Sequence, residues 1–137
     1  GIVIANNASL AGAQGGCQAE CGSAAAMAAA AVTELAGGTP AMISHAVAIA
    51  LKNILGLVCD PVGGLVEVPC QKRNATAASV AFVSAQIALS GVQNLISFDE
   101  AVAVMDEVGR GLPPELRETA LGGIAKAPSA CAFCAGC

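Results

Sequence analysis

The feature that most constrains the fold is an alanine-rich run within residues 18–36. Alanine fills positions 24–26 and 28–31 on either side of Met27, and most of the remaining residues are good helix formers. Alanine has the highest helix propensity because it loses no side-chain entropy in a helix. Gly37 and Gly38 then supply a stop signal. The run therefore predicts an α-helix over 18–36.

A second helix is predicted to start at Thr39, a good N-cap residue. Pro40 fits the first helical position because its missing N–H needs no partner there. An apolar run continues this helix to near Leu57. Asp-Pro and Gly-Gly pairs then break the pattern, so residues 59–70 are predicted to be a loop with an extended piece at 65–68.

Three more helices complete the prediction. One begins after Cys70 and runs to about residue 89. Ser97 and Glu100 have the spacing of a capping box, which starts a helix through residue 108, and Pro113-Pro114 starts another that ends at the glycine pair 122–123. About five Ala-rich helices, Gly-rich loops and no convincing strand predict an all-α fold.

The C-terminal residues 127–137 differ from the rest of the chain. They are mostly small residues, and cysteines recur in them as Cys131-x-x-Cys134-x-x-Cys137. Such residues have little to bury, so we expect a flexible Cys-rich tail. The predicted organisation is one domain over 1–126 followed by this tail.

Charge and aromatic content bear on the class of partner. The chain has 6 Lys and Arg against 10 Asp and Glu, and it has no Trp or Tyr. It therefore offers neither a basic surface for phosphates nor aromatic faces for bases, which argues against nucleic acid as a partner. An odd number of cysteines without a secretory signal favours a reducing cytoplasm and metal-binding or catalytic thiols.

One uncharged segment, 75–98, is long enough to be considered as a membrane span. Polar residues interrupt it at short intervals, namely Thr76, Ser79, Ser84, Gln86, Ser90, Gln93 and Asn94, and alanine adds little to membrane insertion. We therefore expect a buried helix and no membrane association.

Three cysteines lie where predicted helices meet glycine-rich loops. Cys17 follows a Gly-rich segment and starts a helix, Cys59 lies just past a helix, and Cys70 closes the next loop. Thiolates from such positions can converge on a soft metal or an iron–sulfur cluster. The alternative is that each is a small buried hydrophobe. Cys21, one turn after Cys17, is either a spare ligand or packing, and we favour packing.

Several short motifs are distributed along the chain. They are Asn7-Ala8-Ser9, Gly15-Gly16-Cys17-Gln18-Ala19-Glu20, Ala48-Ile49-Ala50-Leu51-Lys52-Asn53, Gly56-Leu57-Val58-Cys59-Asp60-Pro61, Gly64-Leu65-Val66-Glu67-Val68-Pro69-Cys70, Lys72-Arg73-Asn74, Glu107-Val108-Gly109-Arg110, Leu112-Pro113 and Glu118-Thr119-Ala120-Leu121-Gly122-Gly123. Together they resemble the alpha subunit of iron-sulfur-dependent L-serine dehydratase. The resemblance covers essentially the whole chain and implies the C-terminal half of the alpha region. Because the chain also lacks an initiating Met, we expect a missing N-terminal half and a beta subunit or domain as partners, in an oligomer.

The resemblance implies a [4Fe-4S] enzyme that converts L-serine to pyruvate and ammonia without pyridoxal phosphate. Cys17, Cys59 and Cys70 would each hold one iron. The fourth iron would stay open to substrate, which is what allows a metal to act as a Lewis acid. Cys137 would be a displaceable fourth ligand in the resting state, with Cys131 and Cys134 as rivals.

Other residues are candidates for proton transfer and substrate binding. His45 and Lys52 share one face of the predicted second helix and are the candidate bases, although a lone His on an apolar helix is commonly a core residue. The candidate substrate-binding residues are Asn53, Lys72, Arg73 and Asn74, of which the two cations can equally be solvated surface charges. Asp60 and Glu67, in the loop between two cysteines, are expected to help orient the site without binding the metal or the substrate themselves.

Two other functions fit the same cysteines. One is a related cluster-dependent lyase such as L-cysteine desulfidase, which would act on a thiol substrate. The other is a non-catalytic module in which thiols hold zinc or a cluster for structure. The long match through Cys59 and Cys70 favours serine as the substrate.

Overall fold

The computed structural model describes residues 1–134 and has an all-α fold, as the sequence predicted. Within these residues the α-helices are α1 Ile2–Asn7, α2 Gly12–Gly15, α3 Ser23–Leu35, α4 Pro40–Ile54, α5 Cys70–Leu89, α6 Phe98–Gly111 and α7 Pro128–Phe133. A π-helical turn at Gln18–Gly22 precedes α3, and 3-10 turns lie at Val62–Gly64, Pro114–Leu116 and Gly123–Lys126. The described part contains no strand, but Cys59 and Arg117 form an isolated parallel bridge.

Helices α3, α4 and α5 pack against one another and form the centre of the molecule, and α6 packs on α4 and α2. Most side chains at the centre are alanines. They are Ala25, Ala26 and Ala29 of α3, Ala46, Ala48 and Ala50 of α4, and Ala77, Ala81, Ala85 and Ala88 of α5. Small side chains let the helix axes approach closely, so the packing is dense although each residue buries little area.

Both predicted helix caps are present. The Thr39 hydroxyl accepts a hydrogen bond from the Met42 N–H at 3.3 Å, with Pro40 at the first helical position. At the start of α6 the Ser97 hydroxyl accepts from the Glu100 N–H at 3.3 Å, and the Ser97 N–H donates to the Glu100 carboxylate at 2.8 Å. The predicted capping box is therefore confirmed.

The predicted second helix ends earlier than expected, at Ile54 rather than near Leu57. Gly56 has a φ of +83°, and its N–H donates to the Gln18 side-chain carbonyl at 2.9 Å. The Gln18 amide also donates to the Met105 carbonyl at 2.8 Å. A fully buried side chain from elsewhere in the chain thus takes the hydrogen bond that would have continued the helix.

The helix predicted from Pro113 to the glycine pair 122–123 is wrong. The segment forms a 3-10 turn at Pro114–Leu116, after which Glu118 and Ala120 adopt positive φ values of +67° and +58°. Cys59 donates its N–H to the Leu116 carbonyl at 2.8 Å and accepts from the Glu118 N–H at 2.7 Å. These contacts with a distant loop replace the hydrogen bonds of a helix.

Two smaller expectations also need correction. Residues 66–69 form a turn instead of the predicted extended piece. The tail, expected to be flexible, contains helix α7, in which Ala130 is buried. Cys137 lies outside the described residues.

Within residues 1–134 no helix combines the length and the apolar character needed to cross a bilayer.

Candidate metal centre

Cys17, Cys59 and Cys70 line one cavity of about 460 Å³. The cavity lies where the π-helical turn, the 59–70 loop and the start of α5 meet. Cys17 and Cys59 are buried, and Cys70 is half-buried. The structure therefore brings together three thiols that are separated by 42 and 11 residues in sequence.

Cys17 is held at the entrance to the π-helical turn by close backbone packing. Gly16 has a φ of +76°, and a Cβ there would lie 2.8 Å from the Leu57 carbonyl oxygen. The Gln18 N–H donates to that same carbonyl at 2.9 Å. Only glycine tolerates both the backbone conformation and this approach, so the glycine-rich segment serves to place Cys17 against the end of α4.

Cys59 is fixed by its bridge to the 116–118 segment and by its neighbour Asp60. The Asp60 carboxylate is 2% exposed and accepts from the Arg73 guanidinium at 2.6 Å and from the Ile124 N–H at 2.7 Å. Arg73 also donates to the Val58 carbonyl at 2.8 Å. This buried ion pair joins α5 to the loop that carries Cys59.

Cys70 is the first residue of α5, a helix of 20 residues. The N-terminal end of a helix carries free N–H groups and the positive end of the dipole, which favour a thiolate, but at Cys70 burial outweighs this effect and the pKa of the thiol is raised. Asn74, one turn further along, also lines the cavity and donates to the Cys70 carbonyl at 2.9 Å.

The protein environment raises the pKa of all three thiols in the metal-free chain. Burial raises the pKa of Cys59 to about 12, with further contributions from the charges of Glu20 and Glu118. Burial is also the main cause of the raised pKa of Cys17 and Cys70, and the nearby Arg73 offsets it in part. Metal binding at these sulfurs must therefore displace protons, as is general for thiolate ligands.

Three cysteine thiols on one cavity are the type of donor that iron–sulfur clusters use. Within the described residues no three His, Cys, Asp or Glu side chains are placed to hold a single metal ion. An iron–sulfur cluster needs a wider arrangement of ligands than a single metal ion does, because each thiolate binds a separate iron. The cavity volume of about 460 Å³ is more than ten times the roughly 30 Å³ of a water molecule in the liquid, which leaves room for a group of several atoms.

Cys21 also lines the cavity. Its sulfur is 3.5 Å from that of Cys17 and 3.6 Å from the Asn74 side-chain oxygen. Cys134 lies near the 59–70 loop, because a Cβ on Gly63 would be 2.9 Å from the Cys134 sulfur.

The two candidate bases lie away from the thiols. Lys52 is exposed and donates to the Asn94 side-chain oxygen at 3.2 Å, and the His45 Nδ1 accepts from the Asn94 N–H at 3.3 Å. Neither side chain lines the thiol cavity. Lys52 therefore has an amide partner and is otherwise open to solvent.

Most of the candidate substrate-binding residues also lie away from the thiol cavity. Asn74 lines the thiol cavity, whereas Asn53 and Arg73 line a different cavity of about 420 Å³ between α4 and α5. Lys72 is exposed. Of this set, only Asn74 lines the cavity with the thiols.

Two carboxylates that the sequence did not single out line the thiol cavity, namely Glu20 and Glu118. Glu20 lies three residues after Cys17, which is a spacing that places two side chains on one face of a helical turn. Glu118 could not be found in this way, because its position depends on the pairing of its segment with Cys59.

The chain is similar to known proteins along most of its length. Residues 1–125 match the family model described as "Serine dehydratase alpha chain". The chain is 58% identical over 129 residues to a probable L-serine dehydratase alpha chain of Bacillus subtilis, covering 94% of this chain and 43% of that protein. It is 57% identical to the L-serine dehydratase alpha chain of Peptoniphilus asaccharolyticus, covering 91% and 43%, and 55% identical to a probable one of Latilactobacillus sakei, covering 97% and 64%. The chain thus spans about half the length of these relatives.

Proposed function

Because the chain belongs to the serine dehydratase alpha chain family, we propose that it supplies the cluster-binding part of an enzyme that deaminates L-serine. The products would be pyruvate and ammonia. The observation that carries the proposal is the convergence of Cys17, Cys59 and Cys70 on one cavity in a chain with this family match. The relatives are longer than this chain, so we propose that activity requires further segments or a beta subunit.

We propose that these three thiols hold a [4Fe-4S] cluster. When bound, such a cluster supplies an open iron that acts as a Lewis acid and assists departure of the serine hydroxyl. Cys137 is proposed as the displaceable ligand of that iron, and Cys131 and Cys134 are the alternatives. A Cys137→Ser variant should keep the cluster but change its oxygen sensitivity, and an unchanged sensitivity would remove Cys137 from the proposal.

Residues that line the thiol cavity can orient serine and accept its α proton. Asn74 offers an amide that can orient the amino or carboxylate group of serine. Glu20 or Glu118 can accept the α proton, because both line the cavity that His45 and Lys52 do not reach. Loss of the α proton and of hydroxide gives an enamine, which tautomerises to an imine that water hydrolyses to pyruvate and ammonia.

The test is anaerobic reconstitution with iron and sulfide, on the chain by itself and with the remaining alpha region and beta subunit supplied. We expect about four irons per chain and, in the complete assembly, pyruvate formation from L-serine. Serine substitutions of Cys17, Cys59 or Cys70 should each lower the iron content. Cys21→Ser is the matched control, since it alters a buried thiol on the same cavity that is not a proposed ligand.

Three outcomes would contradict the proposal. Zinc bound in place of a cluster would support the structural module. A cluster that releases sulfide from L-cysteine and ignores L-serine would support a desulfidase. Equal loss of iron in the Cys21→Ser control would mean that the ligand set is wrong.

A further inference from the structure

A third cavity, of about 350 Å³, lies beside the segment that pairs with Cys59. Arg117 lines this cavity, while its neighbour Glu118 lines the thiol cavity. The wall is formed mainly by small residues of the 8–19 region, together with Met105 of α6. Its volume falls within the roughly 300–1,000 Å³ typical of sites for small molecules.

Arg117 lines this cavity and carries a donor without a partner. Among the described residues, its buried Nε atom has no hydrogen-bond partner and no carboxylate lies within 4 Å of its guanidinium. A buried charged donor without a partner is unfavourable, because it has lost water and gained nothing in exchange. The position of Arg117 is nevertheless fixed, since its two neighbours in sequence hydrogen-bond to Cys59.

The other charges around the cavity leave an excess of positive charge. Asp106 accepts from the Arg110 Nε at 2.7 Å, so that these two side chains neutralise one another. Among the described residues, Arg117 then remains as the uncompensated cation on the wall. The Ser9 hydroxyl, which donates to the Gln14 side-chain oxygen at 2.7 Å, also lines the cavity.

We propose that this cavity binds a carboxylate, held by Arg117. The N–H groups of a guanidinium form a planar fork that matches the two oxygens of a carboxylate, and no other side chain provides this geometry. The small residues of the wall leave space for a short carbon chain. The carboxylate belongs either to a free small acid or to an Asp or Glu side chain from a segment that the longer relatives possess.

This inference does not rest on the proposed chemistry at the thiols. It is tested by titrating the metal-free chain with sodium acetate, sodium pyruvate or L-serine at constant ionic strength, with sodium chloride as the reference, and following amide NMR shifts. We expect saturable shifts at residues lining the cavity for at least one of the carboxylates. The absence of saturable shifts for all three would overturn the proposal.

Substitutions at the cavity sharpen the test. Arg117→Lys keeps the charge but loses the fork and should weaken binding about tenfold, and Arg117→Gln should weaken it further. Lys126→Gln, which removes an exposed cation elsewhere, is the matched control and should have no effect. If a variant fails to fold, protection of Arg117 from phenylglyoxal by the carboxylate in the unsubstituted chain provides the same information. Equal affinity in the Arg117 variants and the control, or no protection, would overturn the assignment.

The source of the carboxylate is decided in a longer alpha chain. If titrated carboxylates still bind there in an Arg117-dependent way, the site accepts a free small acid. If they no longer bind and Arg117→Gln lowers the unfolding temperature more than Lys126→Gln does, a side chain of the longer protein fills the site. If the titrated carboxylates do not bind and Arg117→Gln lowers the unfolding temperature no more than Lys126→Gln does, the proposal fails.

Discussion

Asp60 is the residue through which three separate segments are joined near Cys59. It accepts hydrogen bonds from Arg73 of α5 and from the Ile124 N–H, and it is 2% exposed. Gly123 passes so close that a Cβ there would overlap the Asp60 carboxylate. A side chain that the sequence suggested as a support for the site thus has a defined structural role, which is to place the Cys59 loop against α5.

We predict that Asp60→Asn lowers the free energy of unfolding by about 2 kcal/mol, because it leaves the partly buried Arg73 without its counter-charge. The change is measured by urea denaturation of the metal-free chain. Asp106→Asn is the control, since Asp106 pairs with Arg110, whose side chain is 79% exposed. An exposed pair of this kind contributes only about 0.3–0.5 kcal/mol. Equal losses in the two variants would contradict the role of Asp60.

The raised pKa of Cys59, about 12 against an ordinary value of about 9.0, predicts a dependence of stability on pH. Because the folded state keeps the proton when the unfolded state has lost it, this contribution is complete below about pH 9 and is lost as pH rises toward the folded pKa. Urea midpoints of the metal-free chain should therefore fall more steeply above pH 9 than those of Cys59→Ser. Parallel curves for the two proteins would show that the Cys59 thiol is not the group involved.

The cysteines could be located from sequence because a local signal marks each of them. Cys17 and Cys70 stand at helix starts and Cys59 follows a helix, and the structure places all three on one cavity. Lys52 was a candidate base because it shares a helix face with His45, but it is exposed and donates to Asn94. Whether a helix face is covered depends on which elements pack against it, and a local pattern does not contain that information.

At the scale of the elements, α6 is the helix whose start the sequence defines most clearly. Its capping box joins Ser97 and Glu100 by reciprocal hydrogen bonds, and Arg110 lies in the last turn, where a cation is favourable. We predict that Ser97→Ala costs about 1 kcal/mol of stability, measured by thermal or urea unfolding. Ser79→Ala, on an exposed position of α5, is the control and should change little. A loss no larger than that of the control would mean that the box does not stabilise the fold.

The same box predicts an effect of acid on α6. Hydrogen bonds from the Ser97 hydroxyl and N–H lower the pKa of Glu100 below its ordinary value of 4.5. The carboxylate therefore stabilises the helix above that pH, and the contribution is lost as pH falls through the folded pKa. The difference in unfolding midpoint between the chain and Glu100→Gln should shrink in acid. A difference that stays constant down to about pH 3 would contradict this assignment.

The segment after α6 shows where local signals fail. Pro113 and Pro114 are good residues for a helix start, yet the chain continues as a 3-10 turn and then pairs with Cys59. That pairing joins residues 58 positions apart and sets Glu118 on one cavity and Arg117 on the other. Because the pairing depends on the whole fold, neither residue could be assigned to a site from sequence.

For the whole molecule, the thiols connect parts of the fold that are far apart in the chain. Cys17 precedes the π-helical turn and α3, Cys59 lies in the loop after α4, and Cys70 begins α5. These three helices form the alanine-rich centre, where each side chain buries little area. A group bound by all three thiols would therefore cross-link the centre of the fold. It would add stability there, where the small apolar area buried per residue contributes little.

We accordingly predict that anaerobic loading with iron and sulfide raises the free energy of unfolding by more than about 2 kcal/mol, because a ligand that binds only the folded chain stabilises it by mass action. The measurement is the urea midpoint before loading, after loading, and after removal of iron with a chelator. Cys70→Ser should abolish most of the gain, since it disconnects α5, whereas Cys21→Ser should keep it. A gain that is equal in both variants would show that the metal is bound elsewhere.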